Sequence, residues 1–131
     1  MTEESDVIQS VRRGYDAFSR GDFDAAVAEM HPDVEWRRAR WGPDTAPLKG
    51  ADAVRAWMTP DIFEDQKVTL EEVIENRDKV FVQATFSGRA TGSGIEISNR
   101  GWHVWTIRDG KAGELEFFAD RSEALAAAGL S

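Results

Sequence analysis

Cysteine is absent from all 131 residues, which removes disulfide frameworks, thiolate metal sites, iron–sulfur ligation and cysteine nucleophiles together. Histidine is scarce. His31 and His103 stand far apart in a spacing that no metal uses, so no metal is expected. Positive charge is in deficit, with 16 Lys and Arg against 24 Asp and Glu, and the net −8 repels polyanions and argues against nucleic acid as a partner. No apolar run approaches the ~20 residues that span a membrane, and the opening Met1-Thr2-Glu3-Glu4-Ser5-Asp6 is acidic where targeting peptides are basic. The expectation is a cytoplasmic protein with no membrane partner. The glycines show no dinucleotide-loop or phosphate-loop spacing, and Gly92-Ser93-Gly94 lacks the spacing of a nucleophile elbow. No cofactor is expected.

What is present suits a packed core: 41% apolar residues, five Trp and seven Phe in a length that fits a single domain, 1–131. Val7, Ile8, Val11, Tyr15 and Phe18 recur at three- and four-residue steps, the stripe of an amphipathic helix over 6–20. Gly21 ends it, and Asp22 caps a second helix carrying Phe23, Ala26, Val27 and Met30. Pro32 breaks that pattern. A strand follows over 34–41 with Val34, Trp36, Arg38 and Arg40 on one side. The breaker-rich segment 42–50 reads as loop, and 51–59 as a short helix burying Val54 and Trp57 or Met58. Four strands, 68–74, 79–90, 95–107 and 113–119, form a meander, and a final helix over 122–129 takes Asp120 or Ser122 as its N-cap.

Helices grouped first and strands afterwards define an α+β class, in which N-terminal helices cover a curved antiparallel sheet. Long strands curl such a sheet into a cone, and the enclosed cavity is where a small ligand would bind. Apolar residues on both parities of one strand, Val80, Phe81, Val82, Ala84 and Phe86, exceed what one covered face requires and predict a homodimer.

Four stretches carry a family resemblance that covers essentially the whole chain: residues 13–24 (RGYDAFSRGDFD), His31-Pro32-Asp33-Val34-Glu35-Trp36, Gly50-Ala51-Asp52-Ala53-Val54, and Arg108-Asp109-Gly110-Lys111 with Asp120-Arg121-Ser122-Glu123-Ala124-Leu125. The sequence resembles the nuclear transport factor 2-like superfamily in its SnoaL-like branch. The resemblance implies a cone-shaped fold shared by isomerases, polyketide cyclases, hydrolases and non-catalytic binding modules. Ketosteroid isomerases of this superfamily place a carboxylate base where Trp36 stands here, and a tyrosine where the ungapped match gives Gly14, one residue before Tyr15. Their partner acid falls near His103. SnoaL-like cyclases carry a catalytic aspartate after the last strand, and Asp120 is the matching residue.

The candidate catalytic residues are therefore Asp120, as a general base if desolvated, and His103, on the strand face of Gly101 and Trp105. Asp120 also reads as a helix cap, with Glu123 completing a capping box. The candidate ligand-binding residues are the aromatics Trp36, Trp57, Trp105, Tyr15 and Phe117, with Arg38 sharing the face of Trp36 and offering a guanidinium to a ligand oxygen. His31 reads as a cap for helical carbonyls, and Arg89 and Arg100 as partners in ion pairs on the sheet. The expected partner is a small hydrophobic molecule, bound with or without cofactor-independent acid–base chemistry. The alternative is a non-catalytic binding or dimerisation module.

Overall fold

Helix α1 (Asp6–Ser19) buries Ile8, Val11 and Ala17 from its stripe. It begins at Ser5, whose hydroxyl accepts a hydrogen bond from the Ile8 amide at 3.1 Å. Gly21, at φ +78°, supplies the left-handed turn, and Asp22 caps α2 (Phe23–Ala28) by accepting from the Ala25 amide at 3.1 Å. The structure, a computed structural model, describes residues 5–37, 47–58 and 63–130. The remaining elements are β1 (Met30–Arg37), β2 (Leu48–Lys49), α3 (Ala51–Met58), β3 (Phe63–Asn76), β4 (Lys79–Ala90), β5 (Glu96–Arg108), β6 (Lys111–Phe118) and α4 (Arg121–Ala127).

The six strands form one curved, unclosed sheet in the order β2-β1-β6-β5-β4-β3. Every neighbour is antiparallel except β1 and β6, which run parallel, so the sheet is mixed rather than wholly antiparallel. Strand β1 begins at Met30, earlier than the sequence pattern indicates, and contains Pro32. It tolerates proline because its register with β6 shifts between Met30 and Glu35, where no ladder bond requires that amide. Strand β2 falls in the segment read as loop. Two residues paired to Glu35 and Trp36 are too few to alternate visibly.

Strand β3 is twice as long as its apolar alternation suggests. Its register shifts between Glu64 and Lys67 and again between Leu70 and Glu72. The second irregularity explains why Val68, Leu70 and Val73 pack against one core although the last step spans three residues. Such irregularities bend strands and deepen the sheet's twist. At the β5–β6 turn Asp109 and Gly110 both take positive φ, +52° and +78°, as a two-residue hairpin turn demands.

The two faces of the sheet carry separate cores. On the inner face Val80, Val82, Ala84, Trp105 and Leu115 pack with Val34 and Trp36 of β1, Val54 and Met58 of α3, and Ile8 and Val11 of α1. On the outer face Phe81 and Val104 pack against Ala124 and Ala128 at the C-terminal helix. Phe81, the apolar residue on the alternate parity of β4, is thus buried within the chain beside α4. These residues do not themselves call for a second copy. In α3, Val54 and Met58 are the buried anchors, whereas Trp57 is 47% exposed.

No helix among the described residues is long and apolar enough to cross a membrane. A shallow groove of about 280 Å³ runs beside Phe18, Gly21, Phe23, Asp65 and Gln66, at the α1–α2 turn and the start of β3.

Candidate functional site

The inner face brings six of the candidate residues into one cluster of rings. His103 and Trp105 are two residues apart on β5 and therefore share a face, and the register sets Phe117 of β6 opposite His103. Trp36 of β1 lies beside Leu115 on the next strand. From above, α1 delivers Tyr15 and α3 delivers Trp57.

Trp36 is the hub, edge-on to Trp57 at 5.5 Å, to Trp105 at 6.1 Å and to Phe117 at 5.6 Å between ring centroids. Phe117 in turn meets His103 edge-on at 4.9 Å, and the Tyr15 ring stacks on His103 at 5.8 Å. These contacts are of the kind that add to burial energies by about 0.5–1.5 kcal/mol each.

One hydrogen-bonded chain runs through the cluster. The Trp105 Nε1–H donates to the Tyr15 hydroxyl oxygen at 2.9 Å, and the Tyr15 hydroxyl lies 2.6 Å from Nδ1 of His103. Indole nitrogen only donates, so every group is satisfied when the tyrosine accepts from Trp105 and donates to His103. That arrangement leaves the imidazole proton on Nε2. Gly101, two residues earlier on the same face, leaves room beside it: a Cβ there would stand 4.0 Å from Nε2. Nε2 has no hydrogen-bond partner among the described residues.

Burial pushes the His103 pKa down to about 4 and raises that of Tyr15, so at neutral pH both groups are uncharged. Trp36 is 5% exposed, and its Nε1–H is buried without a hydrogen-bond partner among the described residues. Among the described residues, no carboxylate or cation joins the ring contacts and hydrogen bonds of these six side chains. No group of three or more His, Asp or Glu among them is placed to hold a metal.

Asp120 sits elsewhere. It is exposed and caps α4, its carboxylate accepting from the Ser122 amide and the Ser122 hydroxyl, both at 2.7 Å. Those bonds hold its pKa below the usual carboxylate range, opposite in direction to what a base tuned toward neutrality needs. Arg38 lies outside the described residues, as does Trp41. The fifth tryptophan, Trp102, belongs to the outer face, where its Nε1–H donates to the Gln83 side chain at 3.0 Å.

His31 does not cap a helix. It lies in β1, accepts from the Asp33 amide at Nδ1 (3.0 Å), and has Nε2 3.5 Å from Asp109. The ion pairs read for the sheet arginines are present, Arg100 with Glu71 at 2.7 Å and Arg89 with Asp65 at 3.5 Å. What the sequence pattern does not show is the partnership of Tyr15 with His103. The helix stripe orients Tyr15 inward, but the pairing depends on which strand passes beneath it.

The arrangement of a helix pair and a third helix over a curved mixed sheet, with aromatic side chains on the inner face, is that of the nuclear transport factor 2-like fold. The family model of the SnoaL-like domain matches residues 11–114, and the chain belongs to that family. Among solved structures, an NTF2-like protein of unknown function from Burkholderia pseudomallei is 27% identical, with 94% of this chain and 97% of that one covered and a TM-score of 0.76. TerC, co-crystallised with polyporic acid, is 26% identical over 97% of this chain and 100% of its own, with a TM-score of 0.75. A Mycobacterium tuberculosis protein in complex with estradiol-17β-hemisuccinate shares the fold, with a TM-score of 0.76 over 91% of this chain and 97% of that one, at 18% identity. No protein of curated function matches the chain.

Proposed function

We propose that this protein binds a small, planar, uncharged hydrophobic molecule against the inner-face cluster of Tyr15, Trp36, Trp57, His103, Trp105 and Phe117. The observation that carries the reading is the cluster's composition: rings set edge-on around Trp36, with polar groups that are neutral at physiological pH and no ion among their contacts. Apolar walls with few polar groups are what binds such molecules. TerC and the mycobacterial protein, whose structures contain polyporic acid and a steroid hemisuccinate, support a planar organic ligand for this fold.

Binding rather than proton abstraction is the function this geometry supports best. A base needs a carboxylate or a free imidazole lone pair at the ligand. In the cluster, the Nδ1 lone pair of His103 is engaged by Tyr15, and Asp120 is engaged by Ser122 at the cap of α4. The chemistry left to the site is donation of hydrogen bonds to a ligand oxygen, which polarises a carbonyl without removing a proton.

Titration of the isotope-labelled protein with 9-fluorenone, a planar tricyclic ketone, tests the proposal. Saturable shifts are expected at the side chains of Trp105, Phe117 and His103. Saturable shifts confined to the groove beside Phe18 and Gln66, or no saturable shift at all, would overturn the reading.

A further inference from the structure

We infer that the Trp36 indole N–H is a specificity-determining donor that commits the ligand to carrying an oxygen acceptor, with the His103 Nε2–H as the second donor. The inference rests on the binding reading above and deepens it.

The contrast between two tryptophans of similar setting motivates it. Trp105 is 5% exposed and its Nε1–H is paired with Tyr15 at 2.9 Å. Trp36 is equally buried, touches Trp105, and its Nε1–H has no partner among the described residues. Buried donors are nearly always satisfied, because a desolvated N–H that gains no bond weakens the fold. A chain that leaves one orphaned at the centre of a ring cluster keeps a donor available for something that arrives later.

The second donor strengthens the case. The chain from Trp105 through Tyr15 to His103 runs in one direction and ends in an Nε2–H with no partner among the described residues, on the open side left by Gly101. Phe117 touches both rings that carry the free donors, His103 at 4.9 Å and Trp36 at 5.6 Å between centroids, so the two donors belong to neighbouring rings of one cluster. Trp57, which packs edge-on to Trp36, gives the cluster a ring with a solvent face, at 47% exposure. The two free groups are both donors and both neutral at pH 7. They select carbonyl, quinone or ether oxygens, and they offer nothing to an ammonium ion or to a pure hydrocarbon.

The test compares 9-fluorenone with fluorene, which has the same three rings and a methylene in place of the carbonyl. Fluorenone is expected to bind at least about tenfold more tightly, the discrimination a neutral hydrogen bond to a buried donor supplies. The indole ¹H–¹⁵N resonance of Trp36, assigned by its loss in Trp36→Phe, is expected to move downfield with fluorenone and to stay in place with fluorene. In Trp36→Phe the preference should shrink by several-fold. If that variant does not fold, the resonance of the parent protein decides alone, the Trp36 signal then being assigned from through-bond and nuclear Overhauser spectra of the labelled parent.

Equal affinities with an unmoved Trp36 resonance would overturn this inference while leaving the binding site intact. Failure of both molecules to shift the cluster would overturn the binding reading, and this inference with it.

Discussion

The two faces of the sheet are built by the same strands and handle polar groups in opposite ways. On the outer face, polar side chains near the α4 core pair with one another: Gln83 accepts from Trp102 at 3.0 Å and from Arg121 at 2.5 Å, Arg121 reaches Glu72 at 2.7 Å, and Arg100 grips Glu71 at 2.7 Å. On the inner face the polar groups are few, neutral and incompletely paired. Residues 102 and 103 or 104 and 105 are chain neighbours, yet alternation sends one to a self-satisfied surface and the next to a cluster with donors to spare. Unpaired polarity inside a protein marks a place where folding has not been the only requirement.

The largest effect that would sharpen this contrast is on stability within the inner face itself. Trp36→Ala is expected to cost about 3–5 kcal/mol as a truncation of a buried ring. Trp57→Ala should cost about 1 kcal/mol or less, because half of its ring already faces water. Chemical denaturation measures both. Equal losses would mean that Trp57 is a core anchor after all and that the cluster has no solvent-facing side.

An intermediate effect comes from pH. The pKa of His103 in the folded protein, about 4, is below the ordinary value of 6.5, so the folded state favours the neutral ring. The associated stability is complete above pH 6.5 and is lost as pH falls from there toward 4, where the unfolded chain takes up the proton first. The loss is on the order of 2–3 kcal/mol. His103→Gln keeps an acceptor for Tyr15 but does not titrate, so its stability should fall less over that interval. Parallel curves for parent and variant would place His103 in water rather than in the cluster.

The smallest effects concern Asp120. Asp120→Ala should lose about 1 kcal/mol from the uncapped α4, and Asp120→Asn only a few tenths, since asparagine caps about as well. Neither should change fluorenone affinity by more than about twofold, with affinity scaling as RT ln K. A variant Asp120→Asn that keeps its melting temperature and loses ligand would join Asp120 to the site and erase the separation of the two faces.

Much of the fold is legible in the sequence where a period is sustained. The stripe from Val7 to Phe18 marks α1, the run from Lys79 to Ala90 marks β4, and Gly21-Asp22 marks the joint between helices. Legibility fails where the period breaks. The charged start and bulge of β3 hide its length, and the two residues of β2 have no period to show. The parallel direction of β1 against β6 is set by chain topology, on which local composition is silent.

The site follows the same division. Strand parity correctly groups His103 with Trp105, and Val34 with Trp36, because alternation is local. The pairing of Tyr15 with His103 and the orphaned Trp36 Nε1–H depend on how a helix from one end of the chain settles over strands from the other, which no local pattern encodes. Trp57 shows the limit within a single helix: the spacing allows it or Met58 to face inward, and the packing chooses Met58.

The parallel pairing of β1 with β6 also bears on time. The hairpins from β3 to β6 join strands close in sequence and cost little loop entropy, whereas β1 pairs in parallel with β6 across most of the chain and closes the longest loop of the sheet. Trp36 rides on that late strand, and Tyr15 on the helix before it. The ring cluster is therefore expected to be the last part of the molecule to assemble and among the first to open, with β1 amides exchanging hydrogen sooner than those of β4 in native-state exchange. A ring cluster that is the final piece laid down can loosen without unfolding the frame that holds it.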